Sequence, residues 1–113
     1  MDCIFCNIAQ HQAQAQVIFE NERIIAFRDL FAQAPTHFLV IPKAHHANLD
    51  AVGEDQDALL GELLGCARRL AREQGIAESG YRCVINCRHD GGQSVDHLHL
   101  HVLGGRRLSW PPG

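Results

Sequence analysis

The most informative stretch of the chain is Gln93–Leu103, which has the sequence QSVDHLHLHVL and lies close to the C-terminus. Histidines and aliphatic residues alternate in it, a pattern typical of a β-strand with one polar and one apolar face. We therefore predict that His97, His99 and His101 share one face, while the aliphatic residues between them point into the core. Alternate side chains on a strand are roughly 7 Å apart. Neighbouring imidazoles can then act together on one small substrate or ligate a metal.

Two glycine pairs flank this stretch. Gly91-Gly92 lies before it and Gly104-Gly105 follows it. Glycine lets backbone N–H groups approach an anion closely, so the first pair predicts a turn that can receive phosphate. A Gly-Gly pair is also common in ordinary turns, and alternating histidines can form a plain metal site. The pattern alone therefore leaves catalysis and a structural or metal-binding role open.

Length and charge restrict the class of protein. The 113 residues correspond to one small domain, 1–113, near the lower limit of what buries a sufficient core alone, so a second copy would add stability. The net charge of −3 argues against a general affinity for nucleic acid polymers. We find no apolar run of the roughly 20 residues that span a membrane, and no secretory signal at the N-terminus. We therefore expect a cytoplasmic protein with a small ligand.

Hydrophobic periodicity predicts an α+β domain. The strands are expected at 16–20, 23–27, 37–41, 81–86 and 93–103, a short helix at 3–11, and a long amphipathic helix at 54–74. Gly75 is the expected C-terminal end of the long helix. The sequence thus predicts one antiparallel sheet with the long helix on one face.

The five cysteines favour thiols or metal ligands over a disulfide framework, because no export signal precedes them. Cys66 and Cys83 lie among apolar residues and are predicted to be buried. Cys3 and Cys6 form a C-x-x-C pair, for which a metal site, free thiols and a labile disulfide all remain open.

Several motifs together resemble the histidine triad (HIT) family. Residues 93–102 resemble its signature, in which three histidines alternate with hydrophobic residues. The segment 34–43, APTHFLVIPK, and the tail 102–113, VLGGRRLSWPPG, are similar to the Hint branch, the histidine triad nucleotide-binding proteins. The resemblance extends from Cys3 to Gly113. It implies a HIT-like fold, with a five-stranded antiparallel sheet, a short N-terminal helix and one long helix.

The resemblance implies a homodimeric hydrolase that cleaves nucleoside 5′-phosphoramidates, such as adenosine phosphoramidate or AMP-lysine, through a nucleotidylated histidine. His99 matches the nucleophile, since a neutral imidazole is a competent nucleophile near neutral pH. His101 matches the histidine that contacts phosphate, and His37 belongs to the same site. Ser94 matches the residue beside the leaving nitrogen. The backbone of Gly92 is expected to stabilise charge on the phosphoryl oxygens.

The same resemblance assigns the other substrate contacts. Asp29 matches the carboxylate that receives the ribose hydroxyls, and Asn86 matches a contact on the phosphate side. A solvated loop carboxylate and a turn residue are their ordinary alternatives. The residues that match the base pocket, each equally explained as core, are Ile4, Phe5, Ile8, Phe27, Leu30 and Leu39. The loop positions expected to contact substrate are Gly92, Gln93, Ser94 and Val95.

Cys3 and Cys6 distinguish this chain from many Hint sequences. Other HIT proteins bind zinc with such a pair, together with the histidine after the Pro-Lys element and the first histidine of the triad, here His45 and His97. Two thiolates and two imidazoles form a tetrahedral, structural Zn²⁺ site. His46 competes with His45, because adjacent residues on an extended chain cannot both face the site, and motif position favours His45.

The tail adds one expected site residue. In the Hint branch the tail of one subunit helps to shape the partner's active site, so Trp110 is expected to act in trans on the leaving group. Ser109 differs from the histidine often found before that tryptophan, which leaves the leaving-group preference open. The competing functions are a dinucleoside polyphosphate hydrolase, a nucleotide-binding scaffold with little catalysis, and a zinc-binding structural module.

Overall fold

The computed structural model describes residues 3–113 and confirms the predicted architecture. All strand pairings are antiparallel, and the order across the sheet is β1-β2-β3-β5-β4. The elements are α1 (Ile4–Ala9), β1 (Val17–Glu20), β2 (Ile24–Arg28), β3 (Thr36–Pro42), α2 (Asp57–Glu73), β4 (Tyr81–Val84) and β5 (Leu100–Gly104). The chain therefore forms a five-stranded antiparallel sheet with a short N-terminal helix and one long helix.

The sheet separates two hydrophobic clusters. On one face, α2 packs against alternate residues of the central strands, such as Val40 and Val102. On the opposite face, Phe5 and Ile8 of α1 pack with Leu39 of β3. The two helices thus cover opposite faces, and the short helix leaves part of its face available for a site.

The histidine stretch confirms the predicted alternation but not the predicted strand length. Leu98 and Leu100 both belong to the buried cluster under α2. However, β5 begins only at Leu100, so His97–His99 precede the strand and 93–103 is not one continuous strand. A backbone hydrogen bond outside the strand ladders holds this segment, since the N–H of Leu98 donates to the carbonyl of His46 at 2.7 Å.

The long helix begins slightly later than predicted. Residues 54–56 form a 3₁₀ turn, and α2 itself has 17 residues from Asp57 to Glu73. Gly75 has a φ of +78°, which confirms it as the residue that ends the helix. Within residues 3–113, no helix is long and apolar enough to cross a membrane.

All five cysteines are free thiols. Cys66 lies on the buried face of α2, as predicted. The prediction that Cys83 is buried was wrong, because Cys83 lies on the edge strand β4 and remains exposed. Local sequence indicated a strand there but not its position at the border of the sheet.

Candidate active site and metal-donor cluster

One ring nitrogen of His99 makes a hydrogen bond to the backbone, and the other is free. Its Nδ1 lies 2.7 Å from the carbonyl oxygen of His97. Because a carbonyl oxygen only accepts, Nδ1 must carry the proton, and the neutral ring keeps its lone pair on Nε2. His99 is 3% exposed and borders a cavity. The structure therefore presents a nucleophilic nitrogen on a buried side chain that borders the cavity.

A chain of hydrogen bonds fixes the tautomer of His101. The backbone N–H of Gln33 donates to Nδ1 of His37 at 3.1 Å, so neutral His37 carries its proton on Nε2. That Nε2–H donates to Nδ1 of His101 at 2.9 Å. Neutral His101 must then carry its own proton on Nε2, where it can donate to a phosphate oxygen. Gln33 was not identified from the sequence, because its contribution is a backbone N–H.

Burial keeps both members of this pair neutral. It lowers the pKa of His37, against an opposing effect of the nearby Asp29 carboxylate. Burial, with smaller contributions from His99 and His37, lowers the pKa of His101 to about 4. Both rings are therefore uncharged hydrogen-bonding groups at neutral pH.

Asp29 belongs to the site and is not a solvated loop residue. Its side chain is 16% exposed. One carboxylate oxygen accepts the N–H of Phe31 at 2.8 Å. The other lies 3.4 Å from Nε2 of His37 and 4.0 Å from Nδ1 of His101. The carboxylate therefore borders both the histidine pair and the cavity where a ribose is expected.

A cavity of about 230 Å³ lies between α1, β2, β3 and the histidine segment. It brings together all six residues predicted for the base pocket, Ile4, Phe5, Ile8, Phe27, Leu30 and Leu39. It also brings in the polar groups predicted from the motif, together with one loop residue, namely Asp29, Ser94, Val95, His99 and His101. The structure adds four lining residues that the sequence did not identify, Gln14, Ala15, Arg28 and Phe31.

Phe31 is the most informative of the additional residues. It is 82% exposed although it is a large apolar residue, and it follows Leu30, which is 84% exposed. Adjacent exposed apolar residues indicate a surface that another molecule covers. Two adjacent large hydrophobic residues in a loop were the signal that could have revealed Phe31.

The glycine turn uses the N–H of Gly92 in a hydrogen bond to its own backbone. The N–H of Gly92 donates to the carbonyl of His89 at 3.0 Å, so it closes the turn, and its expected contact with phosphate stays a prediction. The side chain of Gln93 donates to the carbonyls of Ala47 and Val95, at 2.8 and 2.9 Å, and thereby holds the loop. The turn shapes the loop, and the next residues, beginning with Ser94, reach the cavity.

Two further predicted residues lie outside this cavity. Neither Asn86 nor Trp110 is among its lining residues. Trp110 is 82% exposed in the single chain. Its expected action on the site of a second subunit therefore stays a prediction.

Cys3, Cys6, His45 and His97 form a compact donor cluster, as predicted. Their sulfur and nitrogen donor atoms all lie within 4.8 Å of one another. Cys6 Sγ lies 3.2 Å from His45 Nδ1, and Cys3 Sγ lies 3.4 Å from His97 Nδ1. The Nε2–H of His97 donates to the carbonyl of Pro42 at 2.8 Å, which leaves Nδ1 as the free donor atom. The cluster can therefore hold a metal ion.

The structure also decides between the two adjacent histidines. His45 directs Nδ1 toward the thiols, whereas His46 contributes its backbone carbonyl to the N–H of Leu98. The Nε2 of His46 is buried and has no hydrogen-bond partner among the described residues. The motif-based choice of His45 is consistent with this geometry.

Comparison with known proteins identifies the family. The HIT domain model matches residues 10–108. The chain belongs to the HIT family. An uncharacterised HIT-like protein of Synechococcus elongatus is 48% identical over 112 residues, which cover 99% of this chain and 97% of the relative.

Solved structures of the family agree closely with this fold. A HIT family hydrolase of Legionella pneumophila is 51% identical, with a TM-score of 0.97 over 99% of this chain and 100% of that chain. A HIT family hydrolase of Clostridium thermocellum is 40% identical, with a TM-score of 0.92 over 96% and 94% of the two chains. A histidine triad nucleotide-binding protein of Candida albicans is 28% identical, with a TM-score of 0.83 over 97% and 83%. These relatives support a hydrolase.

The low pKa of His101 predicts a pH-dependent stability. An unfolded histidine binds a proton below its ordinary pKa of 6.5, whereas native His101 does so only near 4. The contribution of His101 is therefore complete above pH 6.5 and decreases by ~1.4 kcal/mol per pH unit as the pH falls toward 4. Between about pH 7 and pH 5, the free energy of unfolding of the wild type should fall by about 2 kcal/mol more than that of His101→Gln. Denaturant titration measures this difference, and equal losses in both proteins would contradict it.

Proposed function

We propose that this HIT protein hydrolyses nucleoside 5′-phosphoramidates through a nucleotidyl intermediate on His99. The observation that carries this proposal is the free Nε2 of His99. It is buried beside an apolar cavity and next to His101, whose N–H can donate to a phosphate oxygen. The ring centroids of His99 and His101 are 4.9 Å apart. One phosphorus atom can therefore be attacked by the first ring while its oxygens accept a hydrogen bond from the second.

In the first step, the lone pair on Nε2 of His99 forms a bond to phosphorus and the P–N bond of the substrate breaks. The bonding pair leaves with the amine nitrogen, which takes a proton from solvent water beside the hydroxyl of Ser94. The Nε2–H of His101 stabilises the charge that develops on the phosphoryl oxygens. Nδ1 of His99 keeps its proton on the carbonyl of His97, which stabilises the positive charge of the modified ring.

In the second step, water attacks phosphorus and the N–P bond to His99 breaks. The attacking water releases a proton to solvent, the nucleoside 5′-monophosphate leaves, and the ring returns to its neutral tautomer. Splitting one difficult displacement into two easier ones is the advantage of a covalent intermediate. The fixed hydrogen bond at 2.7 Å from Nδ1 means that no tautomer change is needed between the steps.

The cavity supports a nucleotide substrate. Its apolar residues on α1 suit a planar base, and Asp29 offers a carboxylate oxygen to a ribose hydroxyl. The similar Candida albicans protein is named a nucleotide-binding protein. The motif Gly92-Gln93-Ser94 and the tail Trp110-Pro111-Pro112-Gly113 favour a phosphoramidate, with AMP as product, over a dinucleoside polyphosphate.

Steady-state kinetics test this proposal. Turnover of an adenosine phosphoramidate should fall about 10⁴-fold in His99→Asn, because the nucleophile is lost, and about 10²-fold in His101→Gln, because one oxyanion donor is lost. His89→Gln is a matched control, since His89 is fully exposed on a loop. Its activity should equal that of the wild type. A strong preference for diadenosine triphosphate over the phosphoramidate would favour the polyphosphate hydrolase instead.

We propose that the donor cluster binds one structural Zn²⁺. Two thiols and two imidazoles are a common closed zinc set, and a metal there would join α1 to the histidine segment. The hydrogen bond of His97 to the Pro42 carbonyl is the outer contact that orients many metal-bound histidines. The nearby thiols are free to act as ligands.

Metal analysis tests the zinc proposal. The purified protein should contain one Zn²⁺ per chain by native mass spectrometry, and Cys6→Ser should lose it because one of four ligands is removed. Cys87→Ser is the control, since Cys87 lies outside the cluster. Zinc retention in Cys6→Ser, or no zinc in any variant under zinc-replete expression, would contradict the site.

We also propose that the protein is a homodimer joined along β4. This strand is at the edge of the sheet and leaves one side of its backbone unpaired by the described strands. Arg82 on β4 donates to the carbonyls of Leu108 and Ser109, at 3.3 and 2.8 Å, so the tail lies against the same edge. A partner bound here would approach the exposed Trp110 of the first copy.

Analytical ultracentrifugation tests the dimer. The wild type should sediment at twice the mass of the 12.5 kDa chain. Cys83→Glu should sediment as a monomer, because it places charge on the exposed edge. Leu64→Glu, a change at an exposed residue of α2, is the control and should leave the dimer intact. A wild type that remains monomeric at high micromolar concentration would contradict the proposal.

A further inference from the structure

The nucleophile lies just beyond the part of the chain that strand pairing holds. The β3–β5 ladder ends with the pair Val40 and Leu100, and His99 is the next residue outward. The position of His99 therefore depends on contacts other than the sheet. This makes the contacts of the preceding residues, His97 and Leu98, decisive for the geometry of the site.

His97 connects the donor cluster directly to the nucleophile. Its Nδ1 lies among the thiols and His45, and its Nε2–H donates to Pro42. Its backbone carbonyl accepts the Nδ1–H of His99 at 2.7 Å. The same residue thus offers its ring to a metal and its carbonyl to the nucleophile. A displacement of the ring would shift the carbonyl that fixes the tautomer of His99.

Phe5 makes a second connection. It lies between the two cluster cysteines in α1, and its ring centroid is 6.0 Å from that of His97 and 5.2 Å from that of His99. Both pairs have an edge-to-face geometry, with interplanar angles of 75° and 82°. Phe5 also lines the cavity. One side chain therefore contacts a donor residue, the nucleophile and the space for the substrate.

The donor cluster adds to the packing of Phe5 and Ile8 on the sheet in holding α1. This helix has only six residues, too short to be stable alone. Cys3 is the N-cap residue of this helix, and its sulfur accepts a hydrogen bond from the N–H of Cys6 at 3.3 Å. Because Cys3 and Cys6 are both cluster members, a metal would fix the start of the helix, including Phe5, against the histidine segment.

We infer that His97 is a positioning residue that couples metal occupancy of the donor cluster to nucleotide binding in the adjacent cavity. The inference rests on the proposed nucleotide site. Metal binding holds His97 and α1 in the arrangement that the nucleotide needs, so each ligand favours the other. Thermodynamic linkage requires that the two effects have the same factor. We expect a factor of about 10, within the usual range for coupled sites.

The first arm of the test measures AMP affinity. Isothermal titration calorimetry with AMP should give a Kd about tenfold larger for chelator-treated protein than for the Zn²⁺-loaded protein. Equal AMP affinity in the two forms would overturn the inference and leave the proposed function intact. AMP binding by neither form would overturn both.

The second arm measures the same coupling from the side of the metal, starting from the zinc-loaded protein. Equilibrium competition with a chromogenic chelator measures the Zn²⁺ affinity with and without saturating AMP. AMP should raise the Zn²⁺ affinity by the same factor of about 10. A Zn²⁺ affinity independent of AMP would overturn the inference, and so would a failure to bind Zn²⁺.

A variant separates positioning from simple stabilisation. His97→Cys keeps four zinc ligands, namely three thiols and the imidazole of His45. It removes the ring that donates to the carbonyl of Pro42 and contacts Phe5. Zinc should remain bound, while the effect of AMP on zinc affinity falls toward onefold. Leu64→Ala, on the opposite face, is the control and should keep the full coupling. An unchanged coupling in His97→Cys would overturn the role of this ring.

Discussion

The hydrogen bond between Nδ1 of His99 and the carbonyl of His97 is the interaction on which the site depends. At 2.7 Å, it commits one nitrogen of the ring and frees the other. The same peptide segment leads into Leu98, which is 1% exposed in the core under α2. The backbone is therefore fixed by the core on one face while it orients imidazoles on the other. In the sequence, this constraint is visible as the alternation of histidine with aliphatic residues.

Neutral imidazoles with fixed tautomers explain how similar side chains take different roles. His99 presents a lone pair, and His101 presents an N–H, although both belong to the same short segment. The difference comes from their partners, because His99 donates to a carbonyl while His101 accepts from His37. Burial lowers the pKa of His101 to about 4, so it donates a hydrogen bond as a neutral group. A backbone amide, that of Gln33, begins this chain of bonds.

The sequence predicted those features of the fold that depend on residue type and on local hydrophobic periodicity. The apolar faces and the role of Gly75 in terminating the long helix follow from periodicity and residue type, whereas the donor set with Cys3 and Cys6 came from the family resemblance. The start of β5 did not follow, because its pairing with β3 stops at Val40 and Leu100 although β3 continues to Pro42, and local sequence does not show where a ladder stops. The hydrogen bond from the N–H of Gly92 to the carbonyl of His89 also did not follow, since a glycine turn can bind phosphate or bond its own backbone.

The hardest features to predict were contacts made by backbone groups and those that depend on the position of a residue in the tertiary structure. Gln33 contributes a backbone amide, and Pro42 contributes a carbonyl, so neither side chain carries a signal. Phe31 borders the cavity because the loop after β2 folds back there, a tertiary feature. Cys83 is exposed because β4 is at the edge of the sheet. The resemblance to the HIT family supplied the roles of His99 and Ser94, which spacing alone left open.

The most direct test of the account is to identify the covalent intermediate. The protein is mixed with an adenosine phosphoramidate, quenched within milliseconds without acid, and mapped by peptide mass spectrometry. We predict an adenylyl group on the peptide that contains His99, attached to that residue, and none in His99→Asn. Turnover without any nucleotidylated peptide, or with the group on another residue, would contradict nucleophilic catalysis by His99.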